Sequence, residues 1–278
     1  MNAWIIVLSA LICVYILMRI AAAIRTEPAS INDENPYLHP EKKDVLPEQM
    51  RDVRLGGKPE RSAGLYERVW KRVIDSILSF FGLVLLSPLF LGLIIWIKAD
   101  DPGPAFFAQK RVGKGKTFFY LHKFRSMKMS TPHDMPTHLL ADPDQYITRA
   151  GRFLRKSSLD ELPQIWDIFR GKMSVIGPRP ALWNQADLIS ERETYAANDV
   201  MPGLTGLAQI NGRDELEIAD KAKLDGDYCR GIGLGMDVRC FFGTIRSVVK
   251  SDGVVEGGTG ELQKSKKRSK ACQTDTRC

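Results

Sequence analysis

Cysteine and histidine are scarce in this 278-residue sequence, and neither is spaced for chemistry. The five cysteines are Cys13, Cys229, Cys240, Cys272 and Cys278, an odd set with no Cys-x-x-Cys and one member inside an apolar run. That pattern argues for a reducing compartment and against a disulfide framework or a structural zinc site. The four histidines, His39, His122, His133 and His138, have no metal-like spacing and receive no ligand role. No Walker-type loop or dinucleotide fingerprint occurs; Gly231-x-Gly233-x-Gly235 lacks the third-glycine spacing and a preceding strand, and reads as a turn. A base-reading motif and aromatic-basic interleaving are absent too, which argues against nucleic acid as a partner. The net charge of +7 does not restore it, because Leu262 to Cys278 holds six cations against Asp275 and so supplies five of the seven. The body is close to neutral.

What the sequence has is apolar length. With 44% hydrophobic and 26% charged residues it can bury a core beside membrane segments. Trp4 to Ile24 is 21 mostly apolar residues interrupted only by Arg19, and reads as a membrane helix. A cleaved signal peptide is the alternative, but no Lys or Arg precedes the run and Ala21-Ala22-Ala23 is a weak cleavage signal. Residues 26 to 64 are polar, proline-dotted and linker-like.

Ser76 to Ile97 is a second apolar run, 22 uncharged residues broken at its centre by Ser87-Pro88. Length alone says that it crosses a bilayer. Charge says otherwise: Arg61, Arg68, Lys71 and Arg72 lie before it, and Lys98, Lys110, Arg111, Lys114 and Lys116 after it. Two basic flanks share one side only if the segment enters and returns. Pro88 removes an amide donor and clashes with the Val84 carbonyl, while the Ser87 hydroxyl can satisfy a freed carbonyl. A kinked spanning helix is the alternative to a re-entrant hairpin.

Beyond it, Phe106 to Lys110 and Thr117 to His122 predict a hairpin around Gly113-Lys114-Gly115-Lys116. Met129 to Tyr146, with Pro132, Pro136 and Pro143, predicts a mobile loop of the kind that covers a substrate. Helices are expected at 148–156, 160–170, 184–197 and 214–226. Asp237 to Lys250 sets Phe241, Phe242, Ile245, Val248 and Val249 opposite Arg239, Arg246 and Lys250. That helix suits a membrane interface or the protein core equally. The fold class is α/β, mostly helical with a small sheet, and membrane-associated.

The chemistry centres on Ser158-Leu159-Asp160-Glu161-Leu162-Pro163. Proline favours a first helical turn, so Asp160 and Glu161 are expected at a helix N-terminus. Taken alone, Ser158-x-x-Glu161 is explained as a capping box. The surroundings add another reading. Arg149, Arg152, Arg155 and Lys156 precede the pair and Gly177-Pro178-Arg179-Pro180 follows it; an aspartate among cations stays ionised and can be a nucleophile without a general base. Arg179, fixed between two prolines, is suited to grip phosphate oxygens as a fork. Lys123 and Arg125 in His122-Lys123-Phe124-Arg125-Ser126-Met127, and Arg213 in Gln209-Ile210-Asn211-Gly212-Arg213, invite the same reading. Each singly is a surface charge; together, in a near-neutral body, they suggest a polyphosphate site.

From Leu65 to Leu262 the chain resembles the bacterial sugar transferases, the monotopic polyprenyl-phosphate phosphoglycosyltransferases. The likeness runs in order through Tyr66-Glu67-Arg68-Val69-Trp70-Lys71-Arg72, Ser87-Pro88, Lys123 to Met127, Ser158 to Gln164, Gly177 to Pro180 and Pro202-Gly203-Leu204-Thr205-Gly206. It implies a re-entrant membrane helix and a catalytic domain on the cytoplasmic face of the bacterial inner membrane. It also implies transfer of a sugar 1-phosphate from a UDP-sugar to undecaprenyl phosphate, with Mg²⁺ and a ping-pong mechanism. Carried over by position, Asp160 attacks the sugar-bearing phosphate and expels UMP, and Glu161 helps Asp160 hold the metal. Lys123, Arg155, Arg179 and Arg213 hold phosphates, and Asp237 lies near the site. Downstream glycosyltransferases and membrane lipid are the further implied partners. Leu207, where the family has tryptophan after Thr-Gly, and Met201, where a basic residue often precedes Pro-Gly, depart from the pattern and bear on sugar and lipid contacts.

The implied organisation is a membrane helix (1–25), a linker (26–64), a re-entrant hairpin (65–98), a catalytic domain (99–262) and a basic disordered tail (263–278). A catalytically silent membrane scaffold for glycan assembly is the alternative function.

Overall fold

The computed structural model describes residues 61–131, 143–212 and 216–250, except the side chains of 143–144 and 248–250. The N-terminal apolar run, the linker to residue 60, the centre of the proline-rich loop, Arg213 and the basic tail lie outside the described residues. The described fold is mostly helical, with two small two-stranded sheets where one was expected, and one long apolar helix. It forms two compact units. Among the described residues, one comprises those of Trp70–Arg111 and Phe118–Val175; the other comprises residues 61–69, Val112–Thr117 and those from Ile176 to residue 250.

A wide turn, Tyr66–Trp70, leads into α1, Lys71–Asp100, of the first unit. Its buried stripe is Lys71, Asp75, Ser79, Leu83, Ser87, Phe90, Leu93 and Ile97, a spacing of three and four that keeps one face inward. Four of the eight are polar or charged. The exposed face, in contrast, carries Ile77, Phe81, Leu85, Leu89, Ile95 and Trp96. Polar residues inside and large apolar ones outside invert the rule for a helix in water. Pro88 lies inside α1, and the fully buried Ser87 donates its hydroxyl to the Val84 carbonyl at 2.8 Å, as the sequence predicted.

Several flanking cations have structural work. The Arg72 guanidinium donates to the Ile168 and Phe169 carbonyls at 2.8 and 3.0 Å, and Arg61 pairs with Glu67. The first pair of bonds ties the start of the long helix to the chain at 168–169, where the Ile168 carbonyl also accepts the Gly171 amide at 2.9 Å.

Strands β1, Phe106–Val112, and β2, Phe118–Phe124, form the expected hairpin. Phe106 and Phe124 stack at 5.3 Å and join Phe90, Leu93 and Ile97 of α1 with Ala150 and Leu154 of α2, Arg149–Lys156, in one core cluster. Acidic residues at the end of α1 fasten this layer. Asp100 accepts the Ala150 amide at 2.9 Å, and Asp101 accepts the Arg125 guanidinium at 2.6 Å and the Met129 amide at 2.9 Å. Arg125, buried in that bond, braces the fold instead of presenting a phosphate-binding fork.

The expected helix at 160–170 is two elements: a 3₁₀ turn, Leu159–Glu161, and α3, Gln164–Phe169. Pro163 separates them because it has no N–H for a continuous ladder.

Strand β3, Ser174–Ile176, whose last residue begins the second unit, pairs with β4, Gly203–Thr205. Gly177 donates to Thr205 at 2.7 Å and Gly203 to Pro178 at 2.9 Å. A Cβ on Gly203 would lie 2.1 Å from the Gly177 nitrogen, so this crossing admits no side chain. Helix α4, Ala186–Glu193, is tied to α6, Ile218–Arg230, by the buried Arg192–Asp225 pair at 2.6 Å. Between β4 and α6 lies the short α5, Leu207–Ile210. Helix α7, Leu234–Lys250, turns Cys240 and Thr244 inward, Thr244 sharing a 2.7 Å hydrogen bond with Thr205. Its Val238, Phe241, Phe242 and Ile245 stay exposed, Phe242 at 63%. Of the two readings open for this helix, packing of the aromatic face into the core is therefore not what the fold does.

Candidate active site

Ser158 adopts a left-handed backbone, φ 56°, which ends α2 sharply and starts the 3₁₀ turn carrying Asp160 and Glu161. Its side chain makes no cap hydrogen bond. The capping box expected from Ser158-x-x-Glu161 is therefore not formed, and the Glu161 carboxylate faces elsewhere. Lys123 of β2 donates from Nζ to Glu161 Oε1 at 3.0 Å and lies 3.8 Å from Asp160 Oδ2. All three side chains are 14–19% exposed, enough for a ligand to reach them and little enough for the charges to be felt.

The strand that presents Lys123 is held on both sides. Gly151 of α2 sits so close to the following segment that a Cβ there would meet the Ser126 carbonyl oxygen at 1.9 Å. Thr148 caps α2 by accepting the Gly151 amide at 2.8 Å, and Arg155 donates from Nε to Ser126 Oγ at 3.0 Å. Thus Arg155 stands on the helix leading into the Asp160 turn, braced against the loop that follows Lys123.

The second unit holds Arg179 and Asp237. Arg179 is half-buried between the buried Pro178 and Pro180, beside the tight Gly177–Gly203 crossing. Asp237 accepts the Tyr66 hydroxyl at one oxygen and the Tyr228 hydroxyl at the other, each at 2.8 Å. Burial, reinforced by the Asp237 charge, pushes the Tyr228 phenol well above its ordinary value, so it remains a donor. Arg213 lies outside the described residues. Lys123, Asp160 and Glu161 are thus brought together, with Arg155 in the same unit, while Arg179 and Asp237 belong to the other.

Sequence reading missed one pair next to this site. Asp167 of α3, 1% exposed, lies 2.7 Å from His122 Nδ1 and accepts the His122 backbone amide at 2.9 Å. Their 45-residue separation left no local signal beyond the adjacency of His122 to Lys123.

As a metal site, adjacent carboxylates offer the hard oxygen donors Mg²⁺ takes, and Mg²⁺ needs only one or two from protein when water and substrate phosphates complete its shell. Among the described residues no group of three or more His, Cys, Asp or Glu is gathered for a metal, so the fit is to an ion that substrate helps hold.

The model of the family described as "Bacterial sugar transferase" matches residues 66–251, more than half of the chain. The "UDP-glucose:undecaprenyl-phosphate glucose-1-phosphate transferase" of Xanthomonas campestris pv. campestris is 41% identical over 181 residues, 63% of this chain and 37% of that protein. The "Undecaprenyl-phosphate galactose phosphotransferase" of Salmonella typhimurium is 34% identical over 201 residues, 67% of this chain and 42% of that protein. The "Exopolysaccharide production protein ExoY" of Rhizobium meliloti is 33% identical over 223 residues, 75% of this chain and 93% of that protein. The chain thus spans less than half of the first two relatives and nearly all of the third.

Proposed function

Because the chain belongs to the bacterial sugar transferase family, we propose that it moves a sugar 1-phosphate from a UDP-sugar to undecaprenyl phosphate, an early membrane step of glycan assembly. The observation that carries this reading is the Lys123 ammonium at 3.0 Å from Glu161 and 3.8 Å from Asp160, built from two of the family-like motifs.

In the proposed reaction an Asp160 oxygen attacks the phosphorus that bears the sugar. The bond from that phosphorus to the bridging oxygen breaks, and UMP leaves with the electron pair. A phosphate oxygen of the lipid then attacks the same phosphorus, transferring the phosphosugar and regenerating the carboxylate. No general base is needed for the first step, since an ionised carboxylate has no proton to lose. Lys123, with Arg155, lowers the cost of bringing an anion to an anionic phosphate. Asp160 and Glu161 would hold Mg²⁺, which would supply Lewis-acid neutralisation of the same charge.

The proposed setting is the cytoplasmic face of a bacterial inner membrane, with α1 entering and returning at Ser87-Pro88. Support comes from the outward apolar face of α1, the Ser87 bond that relieves the proline break, the exposed aromatic face of α7, and basic residues on both flanks.

Incubating the protein with UDP-sugar and Mg²⁺ but no lipid acceptor should release UMP up to the amount of enzyme and then stop. Asp160→Asn should release none. Unchanged release in that variant rules out the nucleophile assignment, and no release by wild type against a full panel of UDP-sugars favours the scaffold alternative.

A further inference from the structure

We propose that Asp167 and His122 form a two-point clamp that positions Lys123 against the Asp160–Glu161 pair, making both positioning residues of the transfer reaction; this rests on the transferase reading above. Asp167 sits on α3, one short segment after the 3₁₀ turn that carries the carboxylates. Its two oxygens take two donors from one residue: the His122 ring at 2.7 Å and the His122 backbone amide at 2.9 Å. The next residue of the strand, Lys123, reaches the same stretch of chain through Glu161 at 3.0 Å. Adjacent strand residues project to opposite faces. The stretch 160–167 therefore holds two successive residues of β2, and a slip of the strand would break both contacts together.

Burial makes the clamp stiff. A carboxylate 1% exposed is costly unless its oxygens are matched by donors, so sliding β2 along α3 would strand Asp167. A carboxylate also fixes the ring: both of its oxygens accept, so Nδ1 carries hydrogen whether His122 is neutral or charged, and only Nε2 is left to exchange a proton. The backbone amide bond holds the main chain at the residue preceding Lys123, which a ring contact alone would not do. Misplacing a reactive constellation by about 1 Å costs on the order of a hundredfold in rate.

Two readouts test the clamp on the full chain. In nitrogen-15 spectra of histidine-labelled protein, the neutral His122 ring should carry hydrogen on Nδ1. Asp167→Asn can accept the backbone amide through its oxygen but turns an N–H toward the ring, and should move the hydrogen to Nε2. A wild-type ring protonated on Nε2 alone overturns the proposal whatever the variants do. In single-turnover UMP release, Asp167→Asn and His122→Phe should be slowed on the order of tenfold to a hundredfold. His122→Asn, whose amide N–H can occupy the Nδ1 position, should retain most of the rate. On a Lys123→Ala background Asp167→Asn should slow release little further, because its effect passes through Lys123. Equal losses with and without Lys123, or His122→Phe as active as His122→Asn, would show a generic packing role and end the proposal. Wild-type protein that releases no UMP would sink the transferase reading instead, leaving the ring hydrogen to decide the clamp.

Discussion

Lys123 Nζ lies 3.0 Å from Glu161 and 3.8 Å from Asp160, so one ammonium serves two adjacent carboxylates. Its removal leaves two neighbouring negative charges without that partner and takes a cation from the approaching phosphate. Lys123→Met is expected to lower single-turnover UMP release by on the order of a hundredfold, the scale of losing one charge-stabilising donor. Rapid-quench measurement checks it. A rate within a factor of about three of wild type would remove Lys123 from the proposed machinery.

The inverted polarity of α1 carries a topological prediction. Cysteines introduced singly at the exposed positions Ser62 and Lys114, in protein lacking its native cysteines, should both be labelled from the cytoplasmic side by a membrane-impermeant thiol reagent. Labelling of one from each side would make α1 a spanning helix. Ser87→Val should also weaken the protein, because the Val84 carbonyl loses its 2.8 Å partner beside Pro88.

The Arg192–Asp225 pair yields a pH-dependent prediction. Asp225 is 1% exposed; one oxygen accepts from Arg192 at 2.8 and 2.6 Å, and Oδ1 finds no hydrogen-bond partner among the described residues. Burial raises the Asp225 carboxyl above its ordinary value, and Arg192 opposes the rise. Arg192→Met removes the opposition and leaves an uncompensated buried charge, at a cost of about 3–5 kcal/mol near neutral pH. The folded variant then holds the Asp225 proton more tightly than its unfolded chain does. Its stability relative to wild type should fall as pH rises above the raised range in which the wild-type fold releases the Asp225 proton, and recover in acid where Asp225 is protonated in both folds. Thermal unfolding at several pH values in detergent reads this directly. A loss of stability independent of pH would contradict the assignment.

Much of the architecture is legible in the sequence because it is local. The hairpin of β1 and β2 lies where the sequence expects it, and the Ser87 hydroxyl takes the Val84 carbonyl beside Pro88, although α1 runs on through that proline as one helix. The α6 helix shows the limit of periodicity, lying at 218–230 where 214–226 was expected. The Asp160 turn departs from its local capping signal: Ser-x-x-Glu is a capping sequence, but Ser158 takes a left-handed backbone and Lys123 claims Glu161. What defeats sequence reading is distance along the chain. Asp75 accepting the Val175 amide, Tyr66 meeting Asp237, and His122 meeting Asp167 are separated by 100, 171 and 45 residues. No periodicity encodes such pairs, and each became visible only when the elements were packed.

The most direct test of the proposed chemistry is mass spectrometry of wild-type protein quenched in acid after brief exposure to UDP-sugar and Mg²⁺ without lipid acceptor. The expected result is a mass increase of one sugar phosphate, mapped to Asp160, absent from Asp160→Asn and discharged by adding undecaprenyl phosphate. Protein that turns over yet shows no adduct, or carries it on another residue, would contradict it.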